Sequence, residues 1–342
     1  GITKRERDAN KFYFTNGTIA SARPNFATDE EVAKHPTSIV PLGSTIKPLT
    51  VLIGLNEKLF SPNAVYNDRG AFYFGKNNRA RLNNAGRKAH GYIDAADAIK
   101  VSSNTFMAAM IGSRLATQKN GVETFDRYMK AFGLGTETGS GLPYEHLGVR
   151  DYIREAERKR VLSALVYASF GQQGKYTALQ LAQFTATLAN KGKRLKPLFV
   201  DHVSNANGKI LYRTKPEILN TVEAPDRYWD IVRRGMNAVS SVGRVRDLFK
   251  DLPHEVASKT GTSQSDIAGK FIENAVFIAY APSSNPTLAV AVVVPEGGYG
   301  AWNAAPIASK IFDAYDVNIG LAGTPRTPPP TVEEKKPAID NE

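Results

Sequence analysis

The 342-residue chain has no cysteine, five scattered histidines, and no run approaching the ~18 consecutive apolar residues that a membrane-spanning helix needs. The missing cysteines exclude disulfides, thiolate zinc sites and a cysteine nucleophile, but they do not separate a reducing compartment from an exported protein that makes no disulfides. The opening Gly1-Ile2-Thr3-Lys4-Arg5-Glu6-Arg7 is polar rather than a signal peptide, so if the natural protein is anchored, its anchor is expected outside the sequence. Also missing are a Gly-x-Ser-x-Gly elbow, a His-Glu-x-x-His pair, a Walker loop and a dinucleotide fingerprint. His35, His90, His146, His202 and His254 lack a metal-ligand spacing, and no metal or cofactor is expected.

What is present is an ordinary globular composition, 42% hydrophobic and 23% charged, in a chain long enough to bury a real core. Its 44 Lys+Arg against 33 Asp+Glu leave +11, which favours anionic surroundings: a membrane surface, a wall polymer or nucleic acid. Nucleic acid finds no further support, because there are no finger spacings, aromatic RNP strands or basic-zipper heptads.

Phe12-Tyr13-Phe14, Asn16-Gly17 and Thr18-Ile19-Ala20 read as a hairpin. Apolar positions at helical spacing follow Ser44 (Ile46, Leu49, Leu52, Ile53) and Ser102 (Phe106, Met110, Ile111), which puts both serines at helix starts. Ser61 to Gly91, rich in Asn, Gly and Arg, reads as a long loop region near a site rather than core. Further helices are expected at Val122–Ala131, Thr177–Asn190, Tyr228–Val239 and Ala304–Tyr315, and a hairpin should pair Phe199-Val200 with Ile210-Leu211-Tyr212 through Asn207-Gly208. Ala275–Tyr280 and Thr287–Val294 read as strands buried on both faces, and Thr324–Glu342, proline-rich and charged, as a disordered tail.

Three short motifs occur in chain order. Ser44-Thr45-Ile46-Lys47 places a hydroxyl and an amine three residues apart on one helix face, so that Lys47 serves as general base if burial or a neighbouring cation brings its pKa towards neutrality. Such a pair arises by chance about once or twice in this length, so alone it carries little. Of the three Ser-x-Asn strings, Ser102-Ser103-Asn104 is the one that opens an apolar helix. Ser102 can pass a proton and Asn104 can hold a peptide group, although a serine there also serves simply as a helix cap. Lys259-Thr260-Gly261-Thr262 reads as an inner strand with a glycine for close approach of a substrate backbone, a lysine for a carboxylate, and threonine hydroxyls. The N–H groups of Ser44 and Thr262 are the expected oxyanion hole.

With these motifs the chain resembles the transpeptidase domain of penicillin-binding proteins, most closely the class B, monofunctional group. Supporting segments are Gly17-Thr18-Ile19-Ala20-Ser21, Pro41 to Pro48, Thr177-Ala178-Leu179-Gln180-Leu181-Ala182 and Pro295 to Ile307. Departures are Gly171-Gln172-Gln173-Gly174 and Gly243-Arg244-Val245. The resemblance implies an α/β (α+β) fold of the penicillin-binding-protein and serine β-lactamase type: an antiparallel sheet flanked by helices, with an all-helical lobe. It implies a domain over residues 11–322, with residues 1–10 a remnant or a join because the family's anchor and pedestal are missing, and it leaves the proline-rich tail from 323.

The resemblance further implies a peptidoglycan D,D-transpeptidase of the extracytoplasmic face of the bacterial membrane, its partners stem peptides ending in D-Ala-D-Ala, β-lactams and other cell-wall synthesis proteins. By motif, Ser44 is the nucleophile, Lys47 its base, Ser102 and Lys259 the proton relay, and Asn104, Thr260, Gly261 and Thr262 the substrate-binding set. A D,D-carboxypeptidase, a serine β-lactamase or a penicillin-sensing scaffold are the rival readings. Glu145, Glu155 and Glu157 lack the pattern of a lactamase's water-activating glutamate.

Overall fold

The computed structural model describes residues 39–142, 145–267 and 270–326. The hairpin expected at 12–20 and the tail beyond residue 326 lie outside them.

A three-stranded antiparallel sheet organises the fold, in the order Ala257–Ile267, Lys270–Ala281, Leu288–Val294. Its central strand alternates with period two: Val276, Ile278 and Tyr280 enter one core, while Ala275, Phe277, Ala279 and Ala281 enter another on the opposite face. Of the two strands expected to be buried on both faces, the central one is, whereas Leu288–Val294 buries only Val290 and Val292 and leaves its other residues half-buried. On the second face the helix Ala305–Asn318 and the short helix Gly243–Phe249 close over the sheet, with Phe249 stacked on Phe277 and edge-on to Phe312. The first face carries the larger core and a helical body. Helix Asp226–Ser240 buries Trp229, Val232, Met236 and Val239, spaced as one helical stripe. Helix Ala178–Ala189 starts at a reciprocal cap, in which Thr177 accepts from the Gln180 N–H and Gln180 accepts from the Thr177 N–H.

Three expectations are corrected. The Lys259 strand is an edge of its sheet among the described residues, not an inner strand. Ser61 to Gly91 is not a featureless loop: Tyr66–Asp68 pairs with Gly91–Ile93 and Ala71–Phe74 with Ala80–Asn83, and Phe74 and Leu82 are core residues. Alternation over strands this short, interrupted by Asn and Gly turns, is too brief to show as a period. The Asn207-Gly208 hairpin exists, but its first strand is His202–Ser204, opposite Ile210–Arg213, rather than Phe199-Val200.

Candidate active site

Ser44 lies in a 3-10 turn, Gly43–Ile46, that runs directly into the helix Lys47–Asn56. The turn is wedged between neighbours. Gly43 has φ +54°, and a Cβ there would come within 2.7 Å of the Thr262 carbonyl; a Cβ on Gly171 would meet the Gly43 carbonyl at 2.0 Å. A Cβ on Gly261 would strike the Thr45 methyl at 2.8 Å and the Leu42 carbonyl at 2.9 Å. Gly261 thus makes room for the chain's own nucleophile turn. Because the Thr262 carbonyl faces Gly43, and a strand residue's N–H and C=O point the same way, the Thr262 N–H also faces the turn that carries Ser44.

Ser102 follows the helix Ala95–Lys100 in a left-handed conformation, φ +58°. It is not the helix cap. That role falls to Ser103, whose Oγ accepts from the Phe106 N–H at 3.0 Å and donates to Asp68 at 2.6 Å, so that Asn104 opens the next helix. Freed from capping, Ser102 Oγ stands 3.0 Å from the amines of both Lys47 and Lys259. Lys47 also donates to the Ser102 carbonyl at 2.6 Å and to Asn104 Oδ1 at 2.7 Å, and Lys259 to the Thr260 carbonyl at 2.9 Å. Both lysines are fully buried. Burial and then the neighbouring Lys259 charge push Lys47 well below the ordinary lysine range, against a smaller opposing pull from Asp68. Burial brings Lys259 down to about 7.

A neutral Lys47 has two hydrogens and one lone pair. The two carbonyl-type acceptors, Ser102 O and Asn104 Oδ1, take the hydrogens, which leaves the lone pair for a hydroxyl. Among the described residues Lys47 bonds to Ser102 and Asn104 rather than to Ser44. Asn104 is committed at both ends of its amide, since Nδ2 donates to the Asn83 carbonyl at 3.0 Å.

Two residues escaped the sequence reading. Asn84 Oδ1 accepts from the backbone N–H groups of Asn104 and Thr105, while its Nδ2 donates to both oxygens of Asp68. Asp68 is fully buried and also receives the Gly70 N–H. Burial disfavours its charge, yet the donors from Ser103, Gly70, Asn84 and Thr105 outweigh it and hold the carboxyl below its usual range. A buried carboxylate thus anchors the Ser102-Ser103-Asn104 turn, and the only signal in sequence was a neighbouring pair of asparagines.

Ser44, Ser102, Asn104, Thr260 and Thr262 converge on one cleft of about 800 Å³, walled also by Lys88, His90, Phe170, Gln172, Glu273 and Tyr299. The buried Lys259 amine points inward at Ser102, whereas Thr260 and Thr262 line the cleft and Lys259 does not. Glu145, Glu155 and Glu157 do not line this cleft; Glu145 accepts from Thr138, and Glu155 pairs with Arg158 and Arg160. No group of three or more His, Asp or Glu that could hold a metal occurs among the described residues.

Penicillin-binding protein 2A of Bacillus subtilis is 32% identical over 284 residues, covering 76% of this chain and 38% of that protein. The peptidoglycan D,D-transpeptidase MrdA of Haemophilus influenzae is 31% identical over 301 residues, 80% of this chain and 44% of its own length. The chain therefore spans less than half of either relative. Among solved structures, Pseudomonas aeruginosa PBP2 in complex with WCK 5153 superposes with a TM-score of 0.71 at 26% identity, over 91% of this chain and 68% of that one. The family model of the penicillin binding protein transpeptidase domain matches residues 5–313. With that span matched, and with the three motifs gathered around one cleft, the chain belongs to the penicillin-binding-protein transpeptidase domain family.

Proposed function

We propose that the chain carries out D,D-transpeptidation of peptidoglycan stem peptides through a Ser44 ester, at the extracytoplasmic face of a bacterial membrane and beside other cell-wall synthesis proteins. The observation that carries this reading is the Ser102 hydroxyl, 3.0 Å from each of two buried lysine amines in the cleft that holds Ser44. Lys47, its pKa lowered, takes the Ser44 proton as Oγ attacks the carbonyl carbon between two terminal D-alanines. The Ser44 and Thr262 N–H groups receive the developing oxyanion, and Thr260 and Thr262 hold the terminal carboxylate. As the C–N bond breaks, Ser102 hands a proton to the leaving amine and is resupplied by Lys259, and Lys259 recovers its proton from Lys47 through the Ser102 hydroxyl 3.0 Å from both, so that each lysine returns to its starting state before the second half-reaction. Asn104 acts through Lys47, whose amine it orients. An acceptor amine then attacks the ester, and Ser44 regains its proton through Lys47.

β-Lactams fit the same course, because ring opening leaves the leaving group tethered to the ester. The relatives named as penicillin-binding proteins and as a D,D-transpeptidase support this reading. Intact-mass measurement after incubation with benzylpenicillin tests it. A one-to-one adduct that persists for hours and maps to Ser44 is expected. Rapid loss of the adduct would make the protein a hydrolase, and a label on another serine would overturn the mechanism.

A further inference from the structure

The segment from Arg69 to Ile93 contains Arg69, Lys76, Arg79, Arg81, Arg87 and Lys88 and not one acidic residue. All six cations are exposed, and none forms an ion pair among the described residues. The Asn207-Gly208 hairpin region, equally exposed, pairs Arg213 with Asp201 and Lys196 with Glu217. Part of this unpaired charge, at Arg69, Arg87 and Lys88, is held at the site. A Cβ on Gly70 would meet the Arg87 carbonyl at 2.6 Å, so the turn bearing Arg69 lies on the backbone of Arg87 and Lys88. Lys88 lines the cleft with His90 and Lys100, and Asn84, four residues earlier, is bonded to Asn104.

We propose that this basic wall binds the acyl acceptor, a peptide-bearing strand whose carboxylates meet Arg69, Arg87 and Lys88 while its amine reaches the Ser44 ester. The proposal rests on the transpeptidase reading above. That reading places the donor's terminal carboxylate on Thr260 and Thr262, across the cleft, which leaves the side of the short-stranded ribbon Tyr66–Ile93 for the second peptide. Clustered cations serve an acceptor twice. They concentrate an anionic strand at the cleft mouth, and they disfavour the ammonium form of its amine, so that more of it is nucleophilic. The step needs no further reactant: the amine nitrogen bonds to the acyl carbon, the bond from that carbon to Ser44 Oγ breaks, and the amine proton passes by way of Lys47 to Oγ.

The test compares the wild type with the Arg69→Gln/Arg87→Gln/Lys88→Gln variant in aminolysis of a thioester donor, using a dipeptide acceptor with two carboxylates and its uncharged bis-amide. In the variant the KM for the dicarboxylate should rise about tenfold, the loss of one to two charge contacts, while that for the bis-amide stays put. In the wild type, added salt should raise the KM of the dicarboxylate alone, which tests the wall without any substitution. An unchanged dicarboxylate KM, or equal rises for both acceptors, overturns the proposal. So does an unchanged acceptor KM together with lost sedimentation on phosphatidylglycerol vesicles, which would assign the wall to lipid. If the wild type forms the Ser44 adduct but uses neither acceptor, the transferase reading falls and this proposal with it. If wild type and variant use both acceptors alike, only the wall's role falls.

Discussion

The wall of the cleft at Lys259–Thr262 belongs to an eleven-residue strand paired along its whole length, whereas the opposite wall at Tyr66–Ile93 is built of strands of three or four residues. The first is held by ladder hydrogen bonds, with apolar packing on both faces of the neighbouring strand. The second buries only Phe74, Leu82 and Ile93 among its apolar residues, and it is tied to the Ser102 turn by one buried carboxylate and the donors around it. An apolar support loses stability gradually as it is trimmed, while a buried polar network fails when one member is left unpaired. The two halves of the proposed relay therefore rest on supports of different kind: Lys259 on packing, and Ser102 with Asn104 on Asp68 and Asn84.

The largest expected effect is at the junction of the walls. Lys47→Ala removes the amine that bridges Ser102 and Asn104, and acylation by a chromogenic β-lactam, followed by stopped flow, should slow by about 10²–10⁴-fold with the fold retained. A folded variant of near-normal rate would mean that another group is the base.

Next comes the polar support. Asp68→Asn keeps the shape but turns an acceptor into a donor facing Ser103 or Asn84, at a cost of about 2–3 kcal/mol. Thermal unfolding should show it, along with slower acylation. Ser258→Ala on the strand wall, where Ser258 meets Ser240 at 2.7 Å, should cost about 1 kcal/mol or less. Equal losses would erase the contrast between the walls. The pH dependence has a definite sign. The folded-state pKa of Asp68 lies below the unfolded value, so its stabilisation is present above the ordinary carboxyl range and disappears as pH falls through the lowered value. The Asp68→Asn variant should lack that acid-side loss.

How far each wall could be read in sequence follows from the same difference. The nucleophile segment and the sheet strands were legible because their information is local, a Ser-x-x-Lys spacing on a helical stripe and long apolar runs. Asp68 reaches Asn84 across 16 residues and Ser103 across 35, through a segment without periodicity, so nothing nearby announced it. Ser102 and Ser103 are chemically identical neighbours, and only the backbone, left-handed at Ser102, decides which faces the lysines and which caps the helix. Gly261 was legible as a close approach, though not of the chain's own nucleophile turn.

A smaller effect distinguishes the lysine on the strand wall. Lys259 titrates near 7 when folded and near 10.5 when unfolded, so between those values the unfolded chain binds the extra proton. Stability should therefore rise with pH across that window, as far as Lys259 contributes. Lys259→Met should be more stable than the wild type at pH 7, and the gap should narrow as pH approaches 10. A constant gap would mean that Lys259 keeps its proton in the folded protein.

The smallest effect concerns what backs the strand wall from behind. Thr324–Glu342 was expected to dock nowhere, yet Arg326 bonds through its N–H to the Asp316 carbonyl at 2.8 Å and pairs with the carboxylates of Asp313 and Asp316. Asp316 is 2% exposed, on the helix that covers the sheet's second face. Its other partners are the Leu321 N–H at 3.0 Å and, at 3.7 Å, His254. Arg326→Gln should thus lower stability by about 1 kcal/mol, since the guanidinium is partly screened by solvent. Ending the chain after Pro330 should leave the melting temperature unchanged. Neither change should alter acylation by benzylpenicillin, because the helix that Arg326 ties down packs on the face of the sheet away from Ser44. Slower acylation in the Arg326→Gln variant would show that the strand wall depends on this clasp as closely as the ribbon wall depends on Asp68.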